Sequence, residues 1–475
     1  MYDPSTMMKQ NDKSYLSKSL LLWDDGSRPH KVVVDIKEEH LGNVSVIINS
    51  PSVTMRINSP PSPSDMSISP LSSKNIVIEE DKYDYGLSLN IIKSICGIGI
   101  LGIPYTVKQS GYSFMIIMFI IAIITGYNAT NIGKLVMDLK KLEKYKNVHL
   151  TYFNISEEVY DYKLKTFVQI IWSIEIICCC ILIINLSFTF MHQIFDLTDN
   201  IYLLCSFIIF FYCLTFIKNY NKIKILSSFG LTAIFLLFCF LIYNLIKFYL
   251  QNNLSFLESV NYKHHTFIHY KNIPKSIAIT LFCLGGHVIF PEIFSSTKNL
   301  KKLKKNIIYT WSLYTSFVVT FILISFVLFG DSISDDIINN LNESYWFKKI
   351  IISLLLINIV FTFPLMFTPL NLRIILNIKS LNINKSLKIF LYRYFIRFCL
   401  ILIICIIGFY WKSYLNIMSV VGGFLENTTS IILPSVLTLK YFKLNLFEKI
   451  LNILIIEFGI ILLGFTLYDS YYILK

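Results

Sequence analysis

The amino-acid sequence predicts an all-α polytopic membrane protein, and three observations support this fold class. Of the 475 residues, 54% are hydrophobic and 15% are charged. The mean hydropathy of +0.59 lies well above the range of soluble globular proteins. Apolar runs long enough to cross a bilayer, about 20 residues each, recur along the chain after residue 85. Two of these runs are interrupted by glycine and proline, which predicts helices that break inside the membrane.

The segment before the first apolar run, residues 1–85, is predicted to be a disordered cytosolic tail. It contains the run SPPSPSDMSISP, which has too little apolar surface to fold alone. Serines that precede proline make kinases candidate partners of the tail, and an unmodified linker is the open alternative; these serines are Ser50, Ser59, Ser62 and Ser69. No cleavable signal peptide is recognisable, so the first span is expected to act as the insertion signal.

Eleven apolar runs are predicted to span the membrane within a transporter domain at residues 86–472. They lie near residues 86–108, 112–137, 166–190, 201–217, 225–249, 274–296, 307–329, 347–371, 389–411, 414–439 and 447–471. All ten cysteines fall inside these runs, where a thiol behaves as a small hydrophobe. Neither a disulfide framework nor a metal site is therefore predicted.

The first apolar run interrupts itself. Residues 90–104 read NIIKSICGIGILGIP, with Gly97, Gly99, Gly102 and Pro104 inside the run. Glycine costs a helix interior about 1 kcal/mol relative to alanine and proline about 3 kcal/mol, so a continuous helix is unfavourable. Unpaired backbone groups are tolerated at bilayer depth where they are buried in protein or line a cavity. The interruption therefore predicts a binding site.

The sixth apolar run repeats the interruption. Residues 281–293 read LFCLGGHVIFPEI, with Gly285 and Gly286 followed by Pro291. Paired interruptions in two halves of a chain are typical of inverted-repeat transporters. Close packing of small residues is the alternative, but the prolines favour a break. The predicted repeats are residues 86–250 and 274–440, with an eleventh helix at residues 447–471 and with helices 1 and 6 discontinuous.

The two predicted breaks together suit a zwitterion. The half-helix after the first break presents free N–H groups and a positive dipole end, which favour a carboxylate. The half-helices that end near Cys96 and Leu284 leave carbonyl oxygens for an ammonium group or a coupling cation. An α-amino acid carries both charges on adjacent atoms, so amino acids are the predicted substrates.

The lysines and arginines predict the orientation. They concentrate in alternate loops, at residues 140–146, 298–305, 373–393 and 440–449, whereas the loop at residues 330–347 is acidic. Because short cytosolic loops carry the basic excess, the N-terminus is predicted to be cytosolic and the C-terminus extracellular or lumenal. The net charge of +13 therefore reports topology, and a nucleic-acid partner is not predicted. The lipid bilayer is the predicted partner of the apolar spans.

Five segments resemble the amino acid/auxin permease family over roughly residues 86–472. They are GIGILGIPYTVKQSGY, FCLGGHVIFPEI, FTFPLMFTP, YRYFIRF and SVVGGFLENTTSIILPSVLTLKYF. The resemblance implies a fold like that of LeuT, with a 5+5 inverted repeat, eleven transmembrane helices, and alternating access to a substrate held between spans 1 and 6.

The resemblance also assigns residues to the site. It implies that Gly97, Ile98 and Gly99 bind the substrate carboxylate and that residues 284–286 bind the amino group. The full set of predicted substrate-binding residues is Cys96, Gly97, Ile98, Gly99, Ile100, Leu284, Gly285 and Gly286.

The branch markers within the family point to different coupling ions. Asn90 and Thr362 stand where the sodium-coupled branch has ion ligands, whereas Lys93 resembles the proton-assisted branch. The motif GGHVIFP resembles the vacuolar and vesicular branches. Proton and sodium coupling therefore both remain open.

Ionisable residues inside predicted spans are costly to bury and are functional candidates by default. Glu426 in span 10 and His287 beside the second break are predicted coupling residues, and a purely structural role is the alternative for each. Glu175 and Glu457 are weaker candidates. Lys93 is expected to extend to the cytosolic edge of the membrane, and Glu292 to face a vestibule.

The sequence therefore predicts a secondary active amino acid transporter, not an enzyme, that uses a proton or sodium gradient and needs no cofactor. A nutrient sensor that signals through its cytosolic tail is the alternative. The plasma membrane and a vacuolar or lysosome-like membrane both remain open as its location.

Overall fold

The computed structural model describes two parts of the chain. In the N-terminal region it describes residues 16–23, 29–39, 43–49 and 54–57. Beyond that it describes residues 85–473 except 97, 147, 196–200, 217–228, 253–266, 298–301, 341–344, 380–385 and 412. The chain divides into two units, Met1–Tyr83 and Asp84–Lys475.

The N-terminal unit contains a four-stranded antiparallel sheet in the order β1-β2-β3-β4. Its strands are β1 Leu16–Trp23, β2 Pro29–Glu39, β3 Asn43–Asn49 and β4 Thr54–Ile57. These strands were not predicted, because the prediction of disorder rested on the serine- and proline-rich run at residues 59–70, which lies outside the described residues. The preceding runs KVVVDI and NVSVII are rich in the β-branched residues that favour strands.

In the described residues of the second unit, every secondary-structure element is a helix. Its helices are α1 Tyr85–Ile95, α2 Ile103–Ser110, α3 Phe114–Leu139, α4 Tyr152–Val159, α5 Tyr162–Phe195, α6 Ile201–Leu214, α7 Phe229–Asn252, α8 Ile273–Leu284, α9 Phe290–Ser295, α10 Leu303–Phe329, α11 Tyr345–Lys379, α12 Ser386–Tyr410, α13 Tyr414–Val420, α14 Leu433–Tyr441 and α15 Leu446–Ile473. Short 3₁₀ helices cover Ile98–Leu101, Glu143–Tyr145, Tyr270–Asn272, His287–Ile289, Gly330–Ser332 and Ile337–Asn340, and a π-helix covers Val421–Ile432.

The predicted polytopic membrane class is confirmed at the level of helix length and composition. In the described residues, 8 helices are long and apolar enough to cross a membrane, or 9 if one bent pair counts as a single span. Ile201–Leu214 and Tyr394–Tyr410 are shorter apolar helices. The count of eleven spans and the inverted repeat stay predictions.

The first span is bent where its glycines interrupt the apolar run. Helix α1 ends at Ile95, the 3₁₀ turn Ile98–Leu101 follows, and α2 begins at Ile103. The two helical pieces, Gly86–Ile95 and Gly99–Ser110, differ in direction by 59°. Pro104 lies in the first turn of α2, where its missing N–H costs no hydrogen bond.

The second break lies between α8 and α9. Helix α8 ends at Leu284, and Gly286 has φ of +96°, in the left-handed region that glycine adopts without a steric penalty. The 3₁₀ turn His287–Ile289 follows, and Pro291 lies in the first turn of α9. The interruption that the sequence predicts at residues 285–286 is therefore present in the backbone.

The π-helix between α13 and α14 was not anticipated by the sequence analysis. Side chains from other helices bond its carbonyl groups: Tyr152 donates to the Thr429 carbonyl at 2.7 Å, and Asn128 donates to the Ser430 carbonyl at 2.8 Å. π-Helical turns are rare and occur frequently at functional sites. This one carries Glu426 in its middle.

One end of the two broken spans is held together by polar contacts. The Ser110 and Ser276 hydroxyls are 2.7 Å apart, and Ser276 also donates to the Thr106 carbonyl at 3.1 Å. Lys108 donates to the Ile333 carbonyl at 2.8 Å. These bonds join α2, α8 and the α10–α11 connection at the end that the loop charges predict to be extracellular or lumenal.

Candidate functional site

A cavity of about 1000 Å³ lies between the two breaks. Three predicted substrate-binding residues line it: Cys96, Gly99 and Gly286. Three predicted coupling residues also line it: Asn90, Thr362 and Glu426. The cavity therefore brings together residues from α1, both breaks, α11 and the π-helix.

The other predicted site residues lie elsewhere. Gly97 and the side chain of Ile98 lie outside the described residues. Ile100 and Leu284 are buried, and neither is among the described residues that line the cavity. Gly285 lies directly against the Glu426 carboxyl.

The two breaks touch each other through a glycine. The Cys283 thiol donates to the Gly99 carbonyl at 3.0 Å. A Cβ atom built on Gly99 would lie 2.8 Å from the Cys283 sulfur and 3.2 Å from its Cα. The absence of a side chain at Gly99 therefore lets spans 1 and 6 approach at their broken centres.

Tyr314 on α10 bridges the ends of the two half-helices. Its hydroxyl lies 3.4 Å from the Ile95 carbonyl and 3.1 Å from the Cys283 carbonyl. A helix end leaves carbonyls without an intrahelical partner, and one buried hydroxyl meets such a group on each span. Tyr314 was not predicted as a site residue, because a tyrosine within an apolar run carries no local signal for this role.

Glu426 lies against the second break. Its carboxylate accepts the Gly286 N–H at 3.0 and 3.2 Å from the two oxygens and accepts the Ser430 hydroxyl at 2.7 Å. A Cβ atom on Gly285 would overlap the same carboxyl group. The carboxyl group therefore lies at the start of the second half of span 6, where free N–H groups favour an anion.

Glu175 on α5 is the neighbour of Glu426. Its side chain is 0% exposed, it lines the cavity, and its carboxyl interacts with that of Glu426. Neither of its oxygens has a hydrogen-bond partner of ordinary geometry among the described residues. Two adjacent buried carboxylates repel each other, so a proton or an entering cation relieves the pair. Sequence reasoning ranked Glu175 as a weak candidate, since its contact with span 10 is not visible in the linear order.

His287 lies outside the lining of the cavity. It is buried, its Nε2–H donates to the Thr125 carbonyl at 2.9 Å, and its ring packs 4.8 Å from Phe290 and 5.5 Å from Trp311. This position favours the structural alternative for His287. Its bond to Thr125 holds the 3₁₀ turn after the second break against α3.

The two sodium-ligand candidates, Asn90 and Thr362, line the cavity. The Thr362 hydroxyl donates to the Asn358 carbonyl of its own helix at 2.7 Å. Among the described residues, no group of three or more histidine, cysteine, aspartate or glutamate side chains is placed to hold a metal ion.

The cavity extends toward the end of the molecule that carries the α3–α4 connection. Val148, His149 and Thr151 of that connection line it, together with Ser296 after α9 and Pro369 on α11. The loop charges predict this end to be cytosolic. The opposite end is the one joined by the Ser110, Ser276 and Lys108 contacts.

A bundle of apolar helices with two broken spans around a central cavity is the architecture of a membrane transporter. The family model described as "Transmembrane amino acid transporter protein" matches residues 86–472, and the chain belongs to this family. The predicted family resemblance is thereby confirmed. The protein is an integral multi-pass membrane protein of a transporter family rather than an enzyme family.

Curated relatives from Arabidopsis thaliana are similar over most of the chain. Amino acid transporter AVT1E is 23% identical over 396 residues, which are 78% of this chain and 70% of the relative. Amino acid transporter AVT1J is 23% identical over 363 residues, covering 74% and 80%. Amino acid transporter AVT1I is 22% identical over 387 residues, covering 79% and 90%.

Proposed function

We propose that this protein is a secondary active transporter that moves amino acids across a membrane by alternating access. The observation that carries the proposal is the cavity at the two helix breaks, where Gly99, Gly286 and Glu426 meet. Family membership and the relatives' names, all amino acid transporters, support the same substrate class.

The geometry suits a zwitterion. In this proposal the backbone N–H groups at the start of the 3₁₀ turn Ile98–Leu101, of which Gly99 lines the cavity, receive the substrate carboxylate. The Glu426 carboxylate and the carbonyl groups near Ile95 and Cys283 form a negative region for the ammonium group. Both charges of an α-amino acid thus have a partner of opposite sign.

The closed and open ends of the cavity support an inward-facing state. In this proposal the contacts of Lys108 and Ser276 close the outer end, while the cavity opens past His149 to the cytosol. The transport cycle alternates this state with one in which the outer contacts separate. An eleven-span bundle with a LeuT-like 5+5 repeat and a cytosolic N-terminus is part of the proposal.

The coupling ion is proposed to be a proton, and Glu426 is proposed to carry it. The neighbouring Glu175 carboxyl favours a proton on Glu426, since protonation of one carboxyl relieves the repulsion between the two. Sodium bound near Asn90 and Thr362 is the alternative, and it needs no titratable group. The sensor alternative has no supporting observation among the described residues.

The test is uptake of labelled amino acids by the purified full chain in proteoliposomes, with an imposed proton or sodium gradient. Gly286→Val is expected to abolish uptake, because a β-branched residue is strained at φ of +96°. Gly464→Ala is the matched control, since nothing lies within 4 Å of a Cβ at that position. Uptake that persists unchanged in Gly286→Val would contradict the site, and no gradient-driven uptake of any amino acid would contradict the function.

A further inference from the structure

The lining of the cavity is more acidic than a zwitterion requires. Glu175, Glu292 and Glu426 contribute carboxyls to it, and Lys93 is the single lysine among the described lining residues. His149 lies at the opening. A neutral amino acid brings no net charge, so it leaves this negative excess uncompensated.

The Glu175–Glu426 pair borders the cavity without a cationic partner among the described residues. Among the described residues, neither carboxyl forms an ion pair with a lysine or arginine. Glu426 is bonded by Gly286 and Ser430, whereas the Glu175 oxygens interact with the Glu426 carboxyl but form no hydrogen bond of ordinary geometry among the described residues. Buried charge without a partner is costly, so a donor that enters the cavity gains a strong charge-assisted interaction.

Aromatic side chains accompany the pair. Trp172 lies one helical turn before Glu175 on α5, so the two residues share a face of the helix. Trp172 and Phe153 both line the cavity, with ring centroids 5.9 Å apart. Aromatic faces attract ammonium and guanidinium groups, and guanidinium stacks on them as well. Carboxyls beside aromatic rings form a typical environment for a cationic side chain.

We infer that the Glu175–Glu426 pair is the subsite for the cationic side chain of the substrate, so that the protein selects amino acids bearing an ammonium or guanidinium group. The inference rests on the proposed transport function and names its substrate class. The α-carboxylate and α-ammonium groups of the substrate lie at the helix breaks, and the two Glu175 oxygens accept hydrogen bonds from its cationic side chain. Lysine and arginine are the simplest members of this class.

The test compares arginine with citrulline, which has nearly the same shape without the charge, in the proteoliposome uptake assay. The wild-type chain is expected to take up arginine with an apparent affinity at least about tenfold better than that for citrulline, as one charge-assisted contact allows. Lysine and norleucine give a second matched pair. In Glu175→Gln the ratio of the apparent affinities for arginine and citrulline is expected to fall toward one, whatever the change in the overall rate of uptake.

Two further variants separate the subsite from general electrostatics. Glu292→Gln removes a carboxyl from the same cavity outside the pair and is expected to keep the arginine preference. Glu426→Gln is expected to lose it. If that variant misfolds because the Gly286 and Ser430 bonds change, Glu175→Gln still decides, since its carboxyl makes no such bonds.

The outcomes are distinguishable. A preference for arginine that disappears in Glu175→Gln supports the inference. Equal uptake of arginine and citrulline by the wild-type chain overturns it, leaves the proposed transport intact and assigns the pair to a proton. A loss of preference in Glu292→Gln equal to that in Glu175→Gln also overturns it. Absence of uptake for these four amino acids, when another amino acid is taken up, overturns the inference alone. Absence of uptake for every amino acid contradicts the proposed function itself.

Discussion

Gly285 and Gly286 are adjacent but are required for different reasons. Gly286 needs its positive φ, whereas Gly285 has φ of −79°, which any residue can adopt. At Gly285 the constraint is space, because a Cβ would overlap the Glu426 carboxyl. The sequence shows both glycines, but only the structure shows that the first one makes room for a charge.

Gly285→Ala is therefore expected to displace the Glu426 carboxylate from the Gly286 N–H. Overpacking of this kind costs about 1–3 kcal/mol in a well-packed core. Uptake in proteoliposomes is expected to fall at least about tenfold, which corresponds to about 1.4 kcal/mol. Gly464→Ala should retain wild-type uptake, and equal behaviour of the two variants would show that the contact with Glu426 is unimportant.

Tyr314→Phe tests the bridge between the two half-helix ends. Removing the hydroxyl leaves the Ile95 and Cys283 carbonyls without this donor, and a buried unsatisfied acceptor costs about 1–3 kcal/mol. A lower melting temperature in detergent is expected, together with slower uptake. Tyr202→Phe is the control, because Tyr202 is 79% exposed. A Tyr314→Phe protein as stable as the control would argue against the bridge.

At the scale of elements, the two breaks were predictable and the π-helix was not. Glycine and proline act on the backbone locally, so the interruptions at residues 97–104 and 285–291 can be recognised without knowing the neighbours. The π-helix depends on distant donors, Tyr152 and Asn128, which bond its carbonyl groups. The proximity of Glu175 to Glu426 has the same origin. The π-helix and the Glu175–Glu426 contact therefore depend on tertiary contacts, which cannot be predicted from the local sequence.

The connection between α10 and α11 contains a buried acid that makes its stability depend on pH. Asp336 is 3% exposed, and one of its oxygens accepts the Ile338 N–H at 3.0 Å. Burial raises the pKa of Asp336 from 3.8 to about 6, with a smaller opposing effect from the Ile338 bond and Lys348. Because the folded-state pKa lies above the unfolded one, this group stabilises the fold fully below about pH 3.8. That contribution is lost as the pH rises through about 6.

The melting temperature of the wild-type chain is therefore expected to fall between about pH 4 and pH 6.5, the range that spans the two pKa values of Asp336. A shift of about two pKa units corresponds to roughly 3 kcal/mol at most. Asp336→Asn keeps an acceptor for the Ile338 N–H but cannot ionise, so it is expected to flatten this part of the pH profile. Asp331→Asn removes a carboxylate from the same connection and should leave the profile unchanged. An identical pH dependence in wild type and Asp336→Asn would contradict the assignment.

At the scale of the whole molecule, composition was enough to predict a helical membrane protein, because hydropathy and helix length act on the entire chain. The direction in which the cavity opens is a different kind of property. It depends on which ends of the broken spans are joined by Lys108, Ser110 and Ser276. Those contacts lie at one end of the bundle, and the exposed lining residue His149 lies at the other. The loop charges independently predict that these ends lie on opposite sides of the membrane.

The accessibility of introduced cysteines tests both the direction in which the cavity opens and the orientation of the chain in the membrane. His149→Cys is expected to react with a membrane-impermeant maleimide applied from the cytosolic side, because His149 is exposed and lines the cavity opening. Ser332→Cys, exposed in the α10–α11 connection, is expected to react from the opposite side. Labelling is measured above that of the wild-type chain, which retains its ten cysteines.

A transported amino acid should slow the labelling of His149→Cys but not that of Ser332→Cys, because only the first position adjoins the cavity. Labelling of both variants from the same side would contradict the orientation. If the substrate does not affect the labelling of His149→Cys, the proposal that the substrate passes through this cavity is contradicted.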